Sequence, residues 1–268
     1  MRDLIYLYGL IPSDELLTKE LPPKKAFDGI GDIYTIPIEK TTAVVCKLSS
    51  NQYTEENIKV KINNDIEWLQ EKAFHHHETV MSLSKMYTVI PLKFCTLYKN
   101  EENLLQTVKS NEEKMDKVFS LLKGNEEWNL KIFCDDHVLR NEVIYNNPTI
   151  EEKKVEISHL TRGKQFFEKK KLDRLIDEAV EAEKQRVSEW VHSQVEEFVI
   201  HGNVKRNWNK DVTGRKENMT WNSVYLISTD KVETFLERIQ KYEKELSRKG
   251  WQLETTGPWP AYHFASFS

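Results

Sequence analysis

Four consecutive residues, His75-His76-His77-Glu78, have side chains of the types that bind zinc or iron. Adjacent helical residues point about 100° apart, however, and a two-histidine site on a helix needs a spacing such as i and i+4. Only His76 falls on the apolar side of the helix that the surrounding spacing predicts. We therefore expect His76 to be a hydrogen-bonded core histidine, and we predict no metal site.

Other chemistry-bearing residues also lack a convergent arrangement. Cys134-Asp135-Asp136-His137 contains the types needed for a nucleophile or a metal site, but consecutive residues at a strand end cannot converge on one atom. We interpret this run as the solvated entry to a loop. Paired acids such as Glu126-Glu127 and Glu151-Glu152 are expected on helix first turns and surfaces. We predict no catalytic residue and no cofactor.

Trp208 lies in a cationic segment, Lys205 to Lys210, which Arg215-Lys216 follows. Cations interleaved with an aromatic residue are typical of proteins that hold single-stranded nucleic acid by phosphate pairing and stacking. A hairpin loop whose charges only solvate it has the same composition, and we favour that interpretation. We rank a protein contact for Trp208 ahead of an RNA contact.

The segment Thr256–Phe264 packs two prolines and three aromatic residues into nine positions. Proline fixes the backbone and lacks a donor, so we expect no regular central strand here. Such aromatics can dock back across the sheet or present an anchor to another protein, and the two roles are compatible. The aromatic residues in question are Trp259, Tyr262 and Phe264.

Composition excludes several classes of protein. The 268 residues carry 39 Lys and Arg against 43 Asp and Glu, a net charge of −4, so no global field attracts nucleic acid or an anionic membrane. No phosphate-binding glycine loop and no apolar run of about 18 residues occurs. The opening residues are too few and too acidic for a signal peptide. Three widely separated cysteines, Cys46, Cys95 and Cys134, indicate reduced core thiols in a cytoplasmic protein.

Two domains are predicted to position these segments. The first, which we place at residues 1–124, is a mixed sheet covered by helices. Leu4–Gly9 is apolar on both sides, as in a central strand. Glu39-Lys40 separates two β-rich runs and predicts a hairpin. Helical spacing then runs from Ile62 to Tyr87, a short strand carries Pro91 at an edge or bulge, and a second helix, 104–122, ends before Gly124.

Residues 125–268 are predicted to form the second domain. Their order is strand, helix, strand, strand, helix, strand, which is the split βαβ or ferredoxin-like order. The last helix is predicted to start from a capping box at Asp230 and Glu233, and the last strand holds Trp251, Leu253 and Thr255. We therefore predict a two-domain α+β protein, with the aromatic and proline-rich tail in the C-terminal domain.

Five motifs stand in a fixed order along the chain: Tyr6-Leu7-Tyr8-Gly9, Val89–Phe94 after the His-bearing helix, Glu127-Trp128, Gly163 before Phe166-Phe167, and Gly257–Phe264. Together they resemble the gas vesicle protein family GvpF/GvpL. The closing Gly-Pro-Trp-Pro-x-Tyr-x-Phe is the most specific. The matching positions are Tyr6, Tyr8, Gly9, His76, Pro91, Lys93, Phe94, Trp128, Gly163, Gly257, Pro258 and Pro260.

Two positions depart from the family pattern Pro-(Leu/Val)-Arg-Phe-Gly-Thr. Lys93 stands at the arginine position and Cys95 at the glycine position. A bidentate contact by that arginine is not expected here, nor is a close backbone approach that requires glycine. The resemblance does not distinguish an F-type from an L-type member.

The resemblance implies an accessory protein for building gas vesicles, located in the cytoplasm or at the vesicle, with a modified ferredoxin-like second domain, no enzymatic activity and no cofactor. Implied partners are the small hydrophobic shell protein and other accessory proteins, without nucleic acid or membrane insertion. An apolar subunit aggregates unless it is covered, so exposed aromatics or unpaired strand edges could hold it. The candidate contacts are Trp208, Trp259, Tyr262 and Phe264.

Two alternatives from other classes stay open. A ferredoxin-like domain also hosts small-molecule binding and enzymatic activity, which would need a pocket with convergent polar groups. RNA binding on the same sheet is the other, although the aromatic motif of RNA-recognition domains is absent.

Overall fold

The computed structural model describes residues 3–266, which form two compact units. One unit takes the residues up to Glu127 together with those from Pro258 onward, and the other is Trp128–Gly257. The tail after Gly257 thus packs with the N-terminal unit, although the sequence led us to place it in the C-terminal domain. The boundary at residue 124 stays a prediction.

The N-terminal unit is built on a sheet of order β2-β3-β1-β4, in which β5 also pairs with β1. Its strand pairs are antiparallel, so the mixed sheet predicted for this half was wrong. Its elements are β1 Asp3–Pro12, β2 Tyr34–Ile38, β3 Thr41–Ser49, α1 Glu55–Asn64, α2 Ile66–Ser84, β4 Ile90–Pro91, β5 Leu97–Tyr98, α3 Glu101–Ser110 and α4 Glu112–Leu122.

Two predictions for this sheet are confirmed. Strand β1 is central and buried along almost all of its length, as its apolar alternation indicated. Strands β2 and β3 form an antiparallel hairpin in which Ile38 lies opposite Thr41. Glu39 has a φ of 56°, the left-handed conformation that tight hairpin turns require.

The helices divide where capping residues interrupt them. Asp65 ends α1 and caps α2 by accepting a hydrogen bond from the Trp68 N–H at 3.0 Å, so the predicted single apolar stripe from Ile62 belongs to two helices. The predicted helix 104–122 is likewise split at Asn111 into α3 and α4. Its five predicted core residues are all buried: Leu104, Val108, Met115, Phe119 and Leu122.

The second sheet has the order β7-β8-β6-β9, with the first and third strands of the fold in the centre. This arrangement confirms the ferredoxin-like order, modified by three helices between its first two strands. The elements are β6 Asn125–Cys134, α5 Asp136–Asn146, α6 Pro148–Ser158, α7 Arg162–Val195, β7 Val199–Val204, α8 Lys210–Thr213, β8 Asn218–Ser228, α9 Val232–Leu246 and β9 Trp251–Trp259.

One local expectation for this half was wrong, and another was confirmed. A 3₁₀ turn, Thr229–Lys231, precedes α9, and the helix has no side-chain cap, so Asp230 and Glu233 form no capping box. Strand β9 continues through Pro258 to Trp259. It is an edge strand, where a missing N–H donor is tolerated, so the expectation of no regular central strand in this segment is confirmed.

No helix within residues 3–266 combines the length and the hydropathy needed to cross a membrane.

Candidate functional site

The motif residues of the N-terminal unit meet in its core and form a hydrogen-bonded chain. The Cys95 N–H donates to the Tyr6 hydroxyl at 3.3 Å, and that hydroxyl lies 2.8 Å from His76 Nδ1. His76 Nε2 donates to the Leu92 carbonyl at 3.1 Å. Because the carbonyl can only accept, Nε2 carries the proton and Nδ1 accepts from Tyr6. His76 is therefore the hydrogen-bonded core histidine predicted from the sequence.

Burial shifts the pKa values of the histidines in this cluster. Loss of solvent lowers the pKa of His76 to about 4, although its hydrogen bond to Leu92 acts in the opposite direction. Burial also lowers the pKa of His75, whose Nε2 is 3.0 Å from the Tyr8 hydroxyl. His77 lies against the Trp259 ring, with centroids 5.5 Å apart. Within residues 3–266 no group of ligands could hold a metal ion.

The Val89–Phe94 motif lies beside the Tyr6–Gly9 motif in the sheet. Gly9 pairs with Pro91, and a Cβ on Gly9 would lie 3.0 Å from a Val89 methyl, so glycine permits this close approach. Phe94 packs on the same core, whereas Lys93 is exposed.

Cys95 has a φ of 62° at the position where the resembled family carries glycine. The left-handed conformation explains why glycine suits this position, and Cys95 occupies it at a steric cost. Burial raises the pKa of its thiol to about 11.

The run Cys134 to His137 connects β6 to α5. Asp135 is the helix cap and accepts hydrogen bonds from the N–H groups of His137 at 2.9 Å and Val138 at 3.2 Å. Burial raises the pKa of Cys134 to about 12, so this thiol is not an activated nucleophile. The residues thus form a capped strand-to-helix junction and not the solvated loop expected.

A cleft of about 850 Å³ in the second unit surrounds Lys184. The ammonium is 2.9 Å from Asp136 and 2.7 Å from Glu181. Burial opposes its charge, but these two hydrogen bonds outweigh burial and raise the pKa of Lys184. A lysine held cationic by two carboxylates is a structural ion pair, because a catalytic amine needs a lowered pKa.

The aromatic tail is docked on the N-terminal unit. Tyr262 packs against its core, and burial raises the pKa of that phenol to about 12. Pro260 is buried, while Trp259 and Phe264 are half-buried. The tail thus docks back on its own unit, one of the two outcomes expected from its composition.

Glu127 anchors this tail and was missed from the sequence. Glu127 is 1% exposed, and its carboxylate accepts two hydrogen bonds from His263, from the backbone N–H at 2.9 Å and from Nδ1 at 2.6 Å. The surface position predicted for the Glu126-Glu127 pair is therefore wrong for Glu127. The sequence feature that could have indicated this burial is His263 in the tail motif, because a buried carboxylate requires a hydrogen-bond donor and a histidine can supply one.

Trp208 follows the exposed edge strand β7. The indole is 46% exposed, the Lys131 ammonium lies 4.7 Å from its ring centroid, and its backbone N–H points to the Met219 sulfur at 3.3 Å. Strand β7 pairs with β8 alone within the described residues, and all its residues after Val199 are exposed.

A family model for "Gas vesicle synthesis protein GvpL/GvpF" matches residues 4–266. The chain belongs to the GvpL/GvpF family. Gas vesicle protein L of Streptomyces sp. (strain CB03234) is 19% identical over 235 residues, which cover 84% of this chain and 80% of that protein.

Solved structures agree in fold. The crystal structure of GvpF from Anabaena sp. PCC7120 matches with a TM-score of 0.75 at 16% identity, covering 99% of both chains. GvpF from Microcystis aeruginosa matches with a TM-score of 0.68 at 16% identity, covering 99% of this chain and all of that one.

The remaining motif residues of this GvpL/GvpF chain are dispersed. Trp128 is buried in the core of the second unit, and Gly257 and Pro258 are exposed in β9. Gly163 is exposed in the first turn of α7. The motifs therefore mark mainly the core and the tail, and they do not converge on a chemical site.

Proposed function

We propose that this protein acts in gas vesicle assembly by binding the hydrophobic shell protein and other vesicle accessory proteins during nucleation or shell growth. The exposed edge strand β7, which leads into Trp208, is the observation that carries this proposal. The protein acts as a binding partner without catalysis, in the cytoplasm and at the vesicle, and inserts no helix into a membrane.

Strand β7 offers backbone groups and apolar side chains together. Ile200 is 44% exposed and Val204 is 57% exposed. An unpaired strand edge can accept an extended segment of another chain, with backbone hydrogen bonds for affinity and side chains for specificity. An apolar shell subunit gains from such an edge because its own apolar surface leaves water at the same time.

Trp208 extends this surface beyond the strand. Large aromatic residues dominate binding energy at protein interfaces, especially when they are held in place before binding. Lys131 holds the indole from one side by a cation–π contact, so less side-chain freedom is lost on binding.

The tail aromatics contribute a second contact surface in this proposal. Trp259, Tyr262 and Phe264 each keep part of their surface exposed while the tail is docked. A partner can therefore bind them without unfolding the tail.

Binding of purified shell protein to the immobilised full chain tests the proposal. We expect Trp208→Ser and Ile200→Lys each to lower capture at least fivefold, and Trp259→Ala with Phe264→Ala to lower it less. Leu17→Ser, which changes a residue 86% exposed in the other unit, is the matched control and should bind like wild type. Equal capture by wild type and Trp208→Ser, with both chains folded by circular dichroism, would remove β7 and Trp208 from the interface.

A further inference from the structure

The first three turns of α7 carry two neighbouring phenylalanines on the solvent side of the helix. Phe166 is 59% exposed and Phe167 is 68% exposed. Their rings meet edge to face, with centroids 5.7 Å apart and planes at 81°. The buried side of the helix is formed instead by Leu172 and Ile176. The Lys170 ammonium lies 4.9 Å from the Phe166 ring centroid, and most of both phenylalanine side chains stays open to solvent.

The same turns are strongly cationic. Residues 162–171 contain five Lys and Arg and one acidic residue, in a chain whose net charge is −4. Among the described residues Arg162, Lys164 and Lys169 make no ion pair, while Lys171 binds Glu168. Cations in the first turn oppose the helix dipole, and α7 has no acidic residue there. This placement destabilises the isolated helix and favours an anionic partner.

Gly163 adds a third, independent observation. Glycine is a poor helix residue, yet a Cβ at this position would meet no atom within 4 Å among the described residues. Gly163 also lies three and four residues before the two phenylalanines, on the same face of the helix. The missing side chain leaves the helix surface open at this position, so a partner side chain can approach the backbone there.

We propose that Gly163, Phe166, Phe167 and the surrounding cations form a docking surface for a short acidic segment of another protein that also carries apolar side chains. This surface is separate from β7 and Trp208 and does not depend on the shell-protein proposal. The rings act as anchors, and the cations select carboxylates and speed association.

Charge along α7 favours a short protein segment over a polyanion. The cationic stretch spans about 15 Å at 1.5 Å per residue. Arg140 pairs with Asp173 and Asp177, but residues 172–183 hold five acidic residues against one basic residue, so acidic residues remain in excess along this part of the helix. They would repel nucleic acid or an anionic membrane extending beyond this stretch, whereas a segment of a few residues ends before it reaches them.

Photo-crosslinking in cells that form gas vesicles identifies the occupant. Phe167→benzoylphenylalanine in the full chain should cross-link to a net-acidic segment of another protein, identified by mass spectrometry. Leu17→benzoylphenylalanine is the control and should not give that product. Products that contain only lipid, nucleic acid, a second copy of the chain, or a neutral or basic segment would overturn the proposal, as would the absence of a product.

A titration then tests the chemistry with the cross-linked segment made as a synthetic peptide. Phe166→Ser with Phe167→Ser should weaken binding at least tenfold, about 1.4 kcal/mol. Lys164→Glu with Lys169→Glu should weaken it similarly and flatten its salt dependence, because these residues supply the charge. Both variants should melt like wild type. Unchanged peptide affinity in either variant would contradict the proposal.

Discussion

Acidification should destabilise the N-terminal unit through His76. The imidazole accepts the Tyr6 hydroxyl hydrogen bond at Nδ1, and protonation removes that acceptor inside a buried cluster. Burial holds the pKa of His76 at about 4, whereas an unfolded histidine titrates near 6.5. The unfolded chain therefore binds the proton first, so stability is full above about pH 6.5 and falls as the pH drops towards 4.

The size of this effect follows from the two pKa values. Between pH 7 and pH 5 the linkage relation assigns His76 a loss of about 2 kcal/mol in the free energy of unfolding. His76→Gln cannot be protonated, so its free energy of unfolding should change by about 2 kcal/mol less than that of wild type over this interval. Titration of groups outside this histidine cluster is common to both chains and cancels in the comparison.

Hydrogen exchange of the buried β1 and β3 amides, followed by mass spectrometry at pH 7 and pH 5 after correction for intrinsic exchange rates, measures this difference. His159→Gln changes an exposed histidine and is the matched control, with the pH dependence of wild type. If wild type and His76→Gln lose the same stability between the two pH values, the assignment of a buried neutral His76 is refuted.

Three further substitutions test the tail anchor and the backbone. Glu127→Ala removes the acceptor of two His263 hydrogen bonds and should lower the free energy of unfolding by about 2–3 kcal/mol. Proteolysis of the tail after Gly257 should become faster, and an unchanged cleavage rate would contradict the anchoring role of Glu127. Gly250→Ala should lower the free energy of unfolding, measured by thermal denaturation, by more than about 2 kcal/mol. Gly250 has a φ of +82°, and the new Cβ would lie 2.9 Å from Val138 Cβ. Cys95→Gly should stabilise the protein by up to about 1 kcal/mol in urea unfolding, since relief of the left-handed cysteine exceeds the loss of its thiol contacts; a clear destabilisation would show that those contacts dominate.

Local patterns predicted the sheets better than the helix ends. The β2–β3 hairpin followed from two β-rich runs and a two-residue turn, which is a local signal. The start of α2 did not, because Asp65 competes with the apolar stripe that runs through it, and the cap prevails. Helical spacing alone cannot show where a continuous stripe is interrupted.

Contacts between residues far apart in the chain could not be predicted from the sequence. Glu127 and His263 are 136 positions apart, and neither residue alone indicates burial of the acid. The core role of His76 was predictable because its neighbours on one helix face are apolar. The exposure of Phe166 and Phe167 was not predictable, since apolar residues in a helix are expected to face the core.

Solubility of the shell protein tests the central proposal most directly. Purified shell protein, diluted from denaturant into an equimolar solution of the full chain, is centrifuged and the soluble fraction is measured. The proposed role of β7 and Trp208 predicts that wild type and Leu17→Ser keep most of the shell protein in solution, and that Trp208→Ser combined with Ile200→Lys does not. If the double variant keeps as much shell protein in solution as wild type does, or if wild type itself keeps none in solution, the proposed role is contradicted.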